Sequence, residues 1–304
     1  MYKYSWLRTL ILAFIFSSIG AGLTSVMVFG ELIKLNANPS SFTLAFMLSI
    51  TPGFIGSILG KHMLSYMEVK YCLIIAEVIG AIGLLIPWYG IFYSSATILQ
   101  FSGITASFAA GILIPSINHY TKALLEEEDI GAAVVIDTII FACHIVFGMS
   151  IGVFLYDIIS NTSYLIANLI GYSLSIIFIL FLPRLATLTK KEIYAKNLDK
   201  NLSSKQIASL YLMSALTIVG TPAISLLPTL VQSTKKDIIL YLLLARSLGQ
   251  LLGPFVVKEE RYKNQTSLFI ITCMAAFIIC YLFIPLTTSL IILLLLFFFC
   301  SYFF

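Results

Sequence analysis

Long apolar runs separated by short polar gaps dominate this chain. Ten stand out: Trp6 to Gly30, Ser41 to Gly60, Tyr71 to Tyr89, Ile91 to Ile117, Ala132 to Tyr156, Tyr164 to Pro183, Ile207 to Val231, Ile238 to Val257, Ser267 to Ile284 and Ser289 to Phe304. A helix rises about 1.5 Å per residue, so most of these runs can cross a hydrocarbon layer roughly 30 Å thick. The pattern predicts an all-α, polytopic membrane protein with about ten spans. The first run is too long for the core of a signal peptide and no small-x-small cleavage site follows it, so it counts as a span.

The basic residues give this ladder a direction. With the amino terminus inside, the inner gaps hold Lys3, Arg8, Lys61, Lys70, Lys122, Arg184, Lys190, Lys191, Lys196, Lys200, Lys205, Lys258, Arg261 and Lys263, whereas the outer gaps hold Lys34, Lys235 and Lys236. Fourteen against three, with Arg246 left inside a span, predicts a cytoplasmic amino terminus by the positive-inside rule. The expected location is the plasma or inner membrane of a bacterial cell.

Composition narrows the class. Sixty per cent of the residues are apolar and 11% charged, far from a soluble average. The net charge of +4 resides in the inner loops, so a nucleic-acid partner is not expected. Leu185 to Lys205 is the longest polar stretch and is too short to build a core. Cys72, Cys143, Cys273, Cys280 and Cys300 are odd in number and lie singly in apolar segments, as small core residues do. With His62, His119 and His144 equally scattered, neither a metal nor a cofactor is expected.

Six spans, a basic linker and at least four more spans make a two-part chain. Gly56-Ser57-Ile58-Leu59-Gly60 matches Gly249-Gln250-Leu251-Leu252-Gly253 at an offset of 193, and at that offset Lys70 meets Lys263 and Glu68 meets Arg261. Both copies sit at the inner end of a helix, so the repeat is parallel, with glycines four apart that admit a neighbouring backbone. The expected division is 1–184 as a six-helix bundle, 185–205 as a cytoplasmic linker and 206–304 as a partial second bundle.

This arrangement resembles the major facilitator superfamily of secondary transporters. The local likeness is to its siderophore and multidrug exporters, where the end of helix four and the start of helix five carry a Pro, a Leu-rich turn, an acidic cluster and then small residues. Here these are Ile114-Pro115-Ser116, Ala123-Leu124-Leu125, Glu126-Glu127-Glu128-Asp129 and Gly131-Ala132-Ala133, with Leu226-Leu227-Pro228 in helix seven. The acidic run also suits a helix amino terminus. The loop after helix two lacks the family's Asp-Arg, helix four lacks an Arg, and Gly148-Met149-Ser150-Ile151-Gly152 stands where antiporters have a Gly-Pro element. The resemblance implies twelve spans, so the sixteen residues from Ser289 to Phe304, about 24 Å of helix, read as the end of a truncated second bundle.

Charges within spans are costly and mark candidate sites. Arg246 suits an anionic or carboxylate-bearing substrate or else a structural ion pair; its planar donor fork would recognise either. Asp137 and His144 are seven residues apart, hence about 20° apart around a helix, with Gly148 on the same stripe. Asp137 either exchanges a coupling proton or bonds neighbouring hydroxyls; His144 could share the proton role, and packing is its simpler account. Glu77 reads as structural or gating, close enough to the inner side to meet Lys61 or Lys70, on a third helix that is peripheral in the resembled fold. Glu31 and Lys34 read as a solvated loop or an outer gate. Gln100 and Gln250 are expected to bind substrate, and these two, Asn118 and Asn168 either line a cavity or bond helix to helix.

Phosphate-loop, zinc-protease, nucleophile-elbow and dinucleotide motifs are absent, so the chain is read as a carrier, not an enzyme. The expected function is export of a small anionic or amphipathic molecule, a siderophore or a drug, by ion-coupled alternating access, with a proton as the coupling ion. An uptake permease and a non-transporting remnant are the alternatives. The expected partners are the solute, the ion and the lipid bilayer, and the expected state is a monomer. Topology is directly testable in a chain whose five native cysteines are replaced by serine. A cysteine at Lys191 or Lys263 should be shielded from an impermeant thiol reagent in intact cells and one at Lys235 should react; labelling at Lys191 but not Lys235 would reverse the orientation.

Overall fold

A computed structural model describes residues 4–125, 139–140, 142–185, 241–242, 244–245, 248–249, 252, 266–287 and 289–302. Among the described residues the regular structure is helical. The elements are α1 (Ser5–Lys34), α2 (Pro39–Leu48), α3 (Thr51–Met63), α4 (Val69–Gly83), α5 (Leu85–Phe92), α6 (Ala96–Leu99) and α7 (Gly103–Leu124), then a π-helix (His144–Ser150), α8 (Ile151–Leu155), α9 (Asn161–Leu180), α10 (Thr266–Phe283) and α11 (Leu290–Tyr302). Five described helical segments are long and apolar enough to cross a membrane: Ser5–Lys34, Ser40–Met63, Val69–Phe92, Ala96–Leu124 and Asn161–Leu180.

Local chemistry sets these boundaries. Pro39 and Pro52 stand in the first turns of α2 and α3, where a missing N–H costs nothing because no intrahelical acceptor exists there. Ser160 caps α9 by accepting from the Ser163 N–H at 3.3 Å, which satisfies one of the four orphan donors. Asn36 and Ser94 adopt φ of 50° and 48°, the left-handed turns that end α1 and separate α5 from α6. Two expectations shift as a result. The break between the third and fourth spans falls at Ser94 rather than at Gly90, and α1 runs on past Gly30 to Lys34.

Alternate helices run in opposite directions, which brings distant parts of the sequence into shared layers. At the basic end, Leu7 and Leu10 of α1 pack with Val69 and Leu73 of α4, Ile117 and Tyr120 of α7, and Ile179 beyond which α9 ends. Lys70 donates to the carbonyls of Leu180 and Leu182 at 2.6 and 3.1 Å, a cation on the orphan acceptors of a helix carboxyl end. The opposite layer joins Val26 and Met27 of α1, Leu99, Val153, and Tyr164 and Leu165 of α9, and includes Leu244 from the second half. There Glu31 accepts from the Tyr156 hydroxyl at 3.0 Å, and Lys34 lies 3.4 Å from Glu31 and 4.3 Å from the Tyr156 ring centre. Glu31 and Lys34 thus tie α1 to the end of the fifth span and are not part of a solvated loop.

The pair α3 and α7 crosses at contact distance. A Cβ at Gly56 would collide with the Phe108 carbonyl, and one at Gly60 would lie 2.9 Å from the Ile112 Cα. Of the matching second copy, Gly249 and Leu252 are described, both helical, and Gly249 is buried; Gly253 and Gln250 lie outside the described residues. Gly56→Leu should therefore destabilise by about 1–3 kcal/mol through overpacking, read as a lower midpoint in thermal unfolding followed by size-exclusion chromatography. Ile58→Ala, at a position 72% exposed, should leave that midpoint nearly unchanged, and equal effects at the two positions would refute the crossing.

Candidate functional site

Polar side chains within the first six spans converge on a cavity of about 290 Å³. Its polar wall includes Thr24 and Ser25 of α1, Ser107 of α7, His144 of the π-helix, and Asn168 and Tyr172 of α9. Each has a structural reason to be there. The Ser107 hydroxyl accepts from the Gly53 N–H at 3.0 Å, a first-turn donor of α3 that it shares with the Ile50 carbonyl. Asn168, 2% exposed, donates from Nδ2 to the Thr24 hydroxyl at 2.7 Å and so joins α9 to α1. Its Oδ1 is buried without a partner, an unused acceptor beside the cavity.

His144 both packs against the first span and lines the cavity. Its Nδ1 lies 3.1 Å from the Ser18 carbonyl, which ties the fifth span to the first, and the residue is part of the cavity wall. The turn it occupies is a π turn, with the Ser150 hydroxyl donating back five residues to Ile145 at 3.1 Å. Such turns recur at functional positions. Asp137, its expected companion, lies outside the described residues.

The remaining expected positions separate. Gln100 follows the short helix α6 and is absent from the cavity wall, although Ser102 and Gly103 belong to it. Asn118 is exposed. Arg246 and Gln250 lie outside the described residues. Glu77 is fully buried on α4, and the expected meeting with Lys61 or Lys70 does not occur: Lys70 is bound to the end of α9 and Lys61 is exposed. The reason is rotational. Glu77 shares a face with Gly80, Leu73 and Ala76 that turns into the bundle, whereas the basic side chains collect at the membrane surface.

Sequence reasoning missed Thr24, Ser107 and Tyr172 because isolated hydroxyls are unremarkable in apolar helices. One signal was available: Asn168, Tyr172 and Ser175 are spaced four and three apart, which puts them on one face of α9. Among the described residues no three His, Cys, Asp or Glu side chains gather in a way that could hold a metal ion. What the cavity offers is an array of neutral donors and acceptors inside an apolar bundle, suited to holding a polar solute.

The Major Facilitator Superfamily model matches residues 10–304. This chain belongs to the major facilitator superfamily. Solved members with the same fold include the nucleoside transporter NupG, at 15% identity and a TM-score of 0.63 over 98% of this chain and 80% of that one. A D-xylose-proton symporter matches at 15% identity and a TM-score of 0.59, again over 98% and 80%. A bacterial homolog of the human lysosomal transporter Spinster, inward-facing and occupied, matches at 14% identity and a TM-score of 0.61, over 98% and 71%. In sequence, an uncharacterized 29.9 kDa protein in the crtE 3′ region of Pseudescherichia vulneris is 48% identical over 61 residues, which is 20% of this chain and 22% of that protein. The match thus spans about a fifth of that relative's length. Membership in a superfamily of transporters agrees with the carrier reading.

The amide–hydroxyl bond between α9 and α1 makes a measurable prediction for this superfamily member. Asn168→Leu and Thr24→Val should each lower unfolding stability by about 1–2 kcal/mol, because each leaves a polar partner inside the bundle unpaired. The double variant should cost less than the two added together, by about 1 kcal/mol in a double-mutant cycle. Strict additivity would show that the bond contributes nothing.

Proposed function

We propose that the protein is a secondary active carrier that exports a small polar solute by ion-coupled alternating access between a six-helix bundle (1–184) and a second bundle (206–304), joined by a cytoplasmic linker (185–205). The observation that carries this reading is the hydroxyl-, amide- and imidazole-lined cavity inside a bundle of apolar helices of a transporter superfamily. Part of that wall is left over after the helices are bonded to one another, since the Asn168 Oδ1 has no partner among the described residues, and an unpaired polar group is costly in an apolar interior unless something polar meets it. At about 290 Å³ the cavity stands at the small end of the ligand-pocket range of roughly 300–1,000 Å³. That size favours a compact solute over a bulky chelate.

The described wall holds no lysine or arginine, so recognition of an anion falls to Arg246 in the eighth span, whose guanidinium offers a planar pair of donors. Asp137 serves as the proton-exchanging carboxylate of the fifth span. The exporter-like sequence around Pro115 and Glu126 to Asp129 supports the export direction.

Transport assays with small labelled hydroxycarboxylates test this. Everted membrane vesicles with an acid interior should accumulate the solute, and Asp137→Asn should abolish gradient-driven accumulation while sparing solute exchange. Arg246→Lys should raise the half-saturation concentration roughly tenfold, a loss of about 1.4 kcal/mol, and Arg246→Gln should remove binding. Accumulation in right-side-out vesicles instead would make the protein an uptake permease. Unaltered affinity in well-folded Arg246→Gln would remove that residue from the site.

A further inference from the structure

The mechanism outlined above makes no use of the most deeply buried carboxyl described. Glu77 has 0% exposure, and both of its oxygens are buried with no hydrogen-bond partner. Ser17 of α1 and Ser175 of α9 are the hydroxyls that face it, and the Ser175 hydroxyl, also 0% exposed, has no hydrogen-bond partner among the described residues. Glu77 and Ser175 thus bring two unsatisfied polar groups together at one helix interface. A carboxylate has acceptors only, whereas a carboxylic acid adds an O–H donor that a serine hydroxyl can accept. Among the described residues no cation pairs with it, and an unpaired ionised carboxylate is a costly state in a membrane interior.

Polar side chains lie between it and the cavity. Asn168, Tyr172 and Ser175 descend one face of α9, and the first two belong to the cavity wall. Tyr172 lies across Gly80, one turn from Glu77, with its hydroxyl 2.8 Å from where a Cβ would stand. Among the described residues Tyr172 is the titratable group facing Glu77 from α9, and α1 contributes only the Ser17 hydroxyl. The cavity wall ends at Gly80 and Tyr172 and does not include Glu77. A metal cation would need room for an oxygen shell; a proton needs none.

We propose that Glu77 is a proton-binding site of this protein, a neutral carboxylic acid held between α1, α4 and α9 and reached from the cavity past Tyr172. Only its use in coupling rests on the carrier reading.

Infrared spectroscopy of the chain in liposomes tests this without any transport assay. Solvated glutamates are ionised at neutral pH, so a carboxylic-acid carbonyl band that shifts on ¹³C-glutamate labelling of the wild type reports a buried neutral glutamic acid. That band should vanish in Glu77→Gln, whose amide is nearly isosteric with the acid and should leave the thermal midpoint unchanged. On transfer to heavy water its deuteration should slow severalfold in Tyr172→Phe. Absence of a glutamate acid band in the wild type would overturn the proton site, whatever the transport assays give. A band that persists in Glu77→Gln would do the same, and an unchanged exchange rate in Tyr172→Phe would overturn the route. A band present in a chain that moves no solute would leave the proton site standing and refute the carrier reading alone.

Discussion

Inside the hydrocarbon a polar atom can bond only to protein, and the arrangement of the first bundle follows from that restriction. Helices satisfy their own backbones, so what remains to be placed is a small set of side chains and helix ends. Serine and threonine hydroxyls mostly return to their own helix, as Ser116 and Thr121 do to the carbonyls of Ile112 and Ile117 at 2.8 and 2.9 Å. The groups that cannot do so reach across: Asn168 to Thr24, Ser107 to the open start of α3, Lys70 to the end of α9. These crossing bonds place α9 against α1, α7 against α3 and α4 against α9. The cavity is the region where such groups are concentrated and not all of them are used.

The two ends of the bundle are held by different chemistry. At the basic end a lysine meets bare helix carbonyls, and the Tyr120 hydroxyl donates to the Pro183 carbonyl at 2.9 Å, so the exit of α9 is fixed by charge and a phenol together. At the other end an acid, a base and a phenol form one cluster from Glu31, Lys34 and Tyr156. Between the two, contact is made by small residues and by aromatic stacking such as that of Phe16 on Phe178, whose ring centres are 5.8 Å apart. Anchoring at both ends leaves the cavity in the middle of the bundle.

Most of the fold was legible because bilayer crossing imposes one period and one length on every element, and the runs from Trp6 to Pro183 carry both plainly. The glycines at 56 and 60 were legible for the same reason, since a close crossing needs small residues at helical spacing. Helix ends were less so. Gly90 looks like a boundary in sequence, yet the chain continues to Ser94 because apolar Ile91 and Phe92 extend the helix beyond it. The site was legible only in part. Ionisable residues announce themselves in an apolar run, so His144 and Glu77 were found. Which way Glu77 turns depends on α9, a hundred residues later, and no local pattern encodes that contact. Thr24 and Ser107 become site residues only because Asn168 and Gly53 lie opposite them, a property of the pair and not of either residue.

The π turn at His144–Ser150 leaves the fifth span with one residue more than an α-helical path of the same length would take. A surplus residue is a stored increment of screw motion. If the turn were drawn out into regular helix, everything before it would advance by about 1.5 Å and rotate by about 100° relative to α8. The imidazole contact with the Ser18 carbonyl and the close approach of Gly148 to Gly22 are contacts with the first span that such a turn of the screw would have to break.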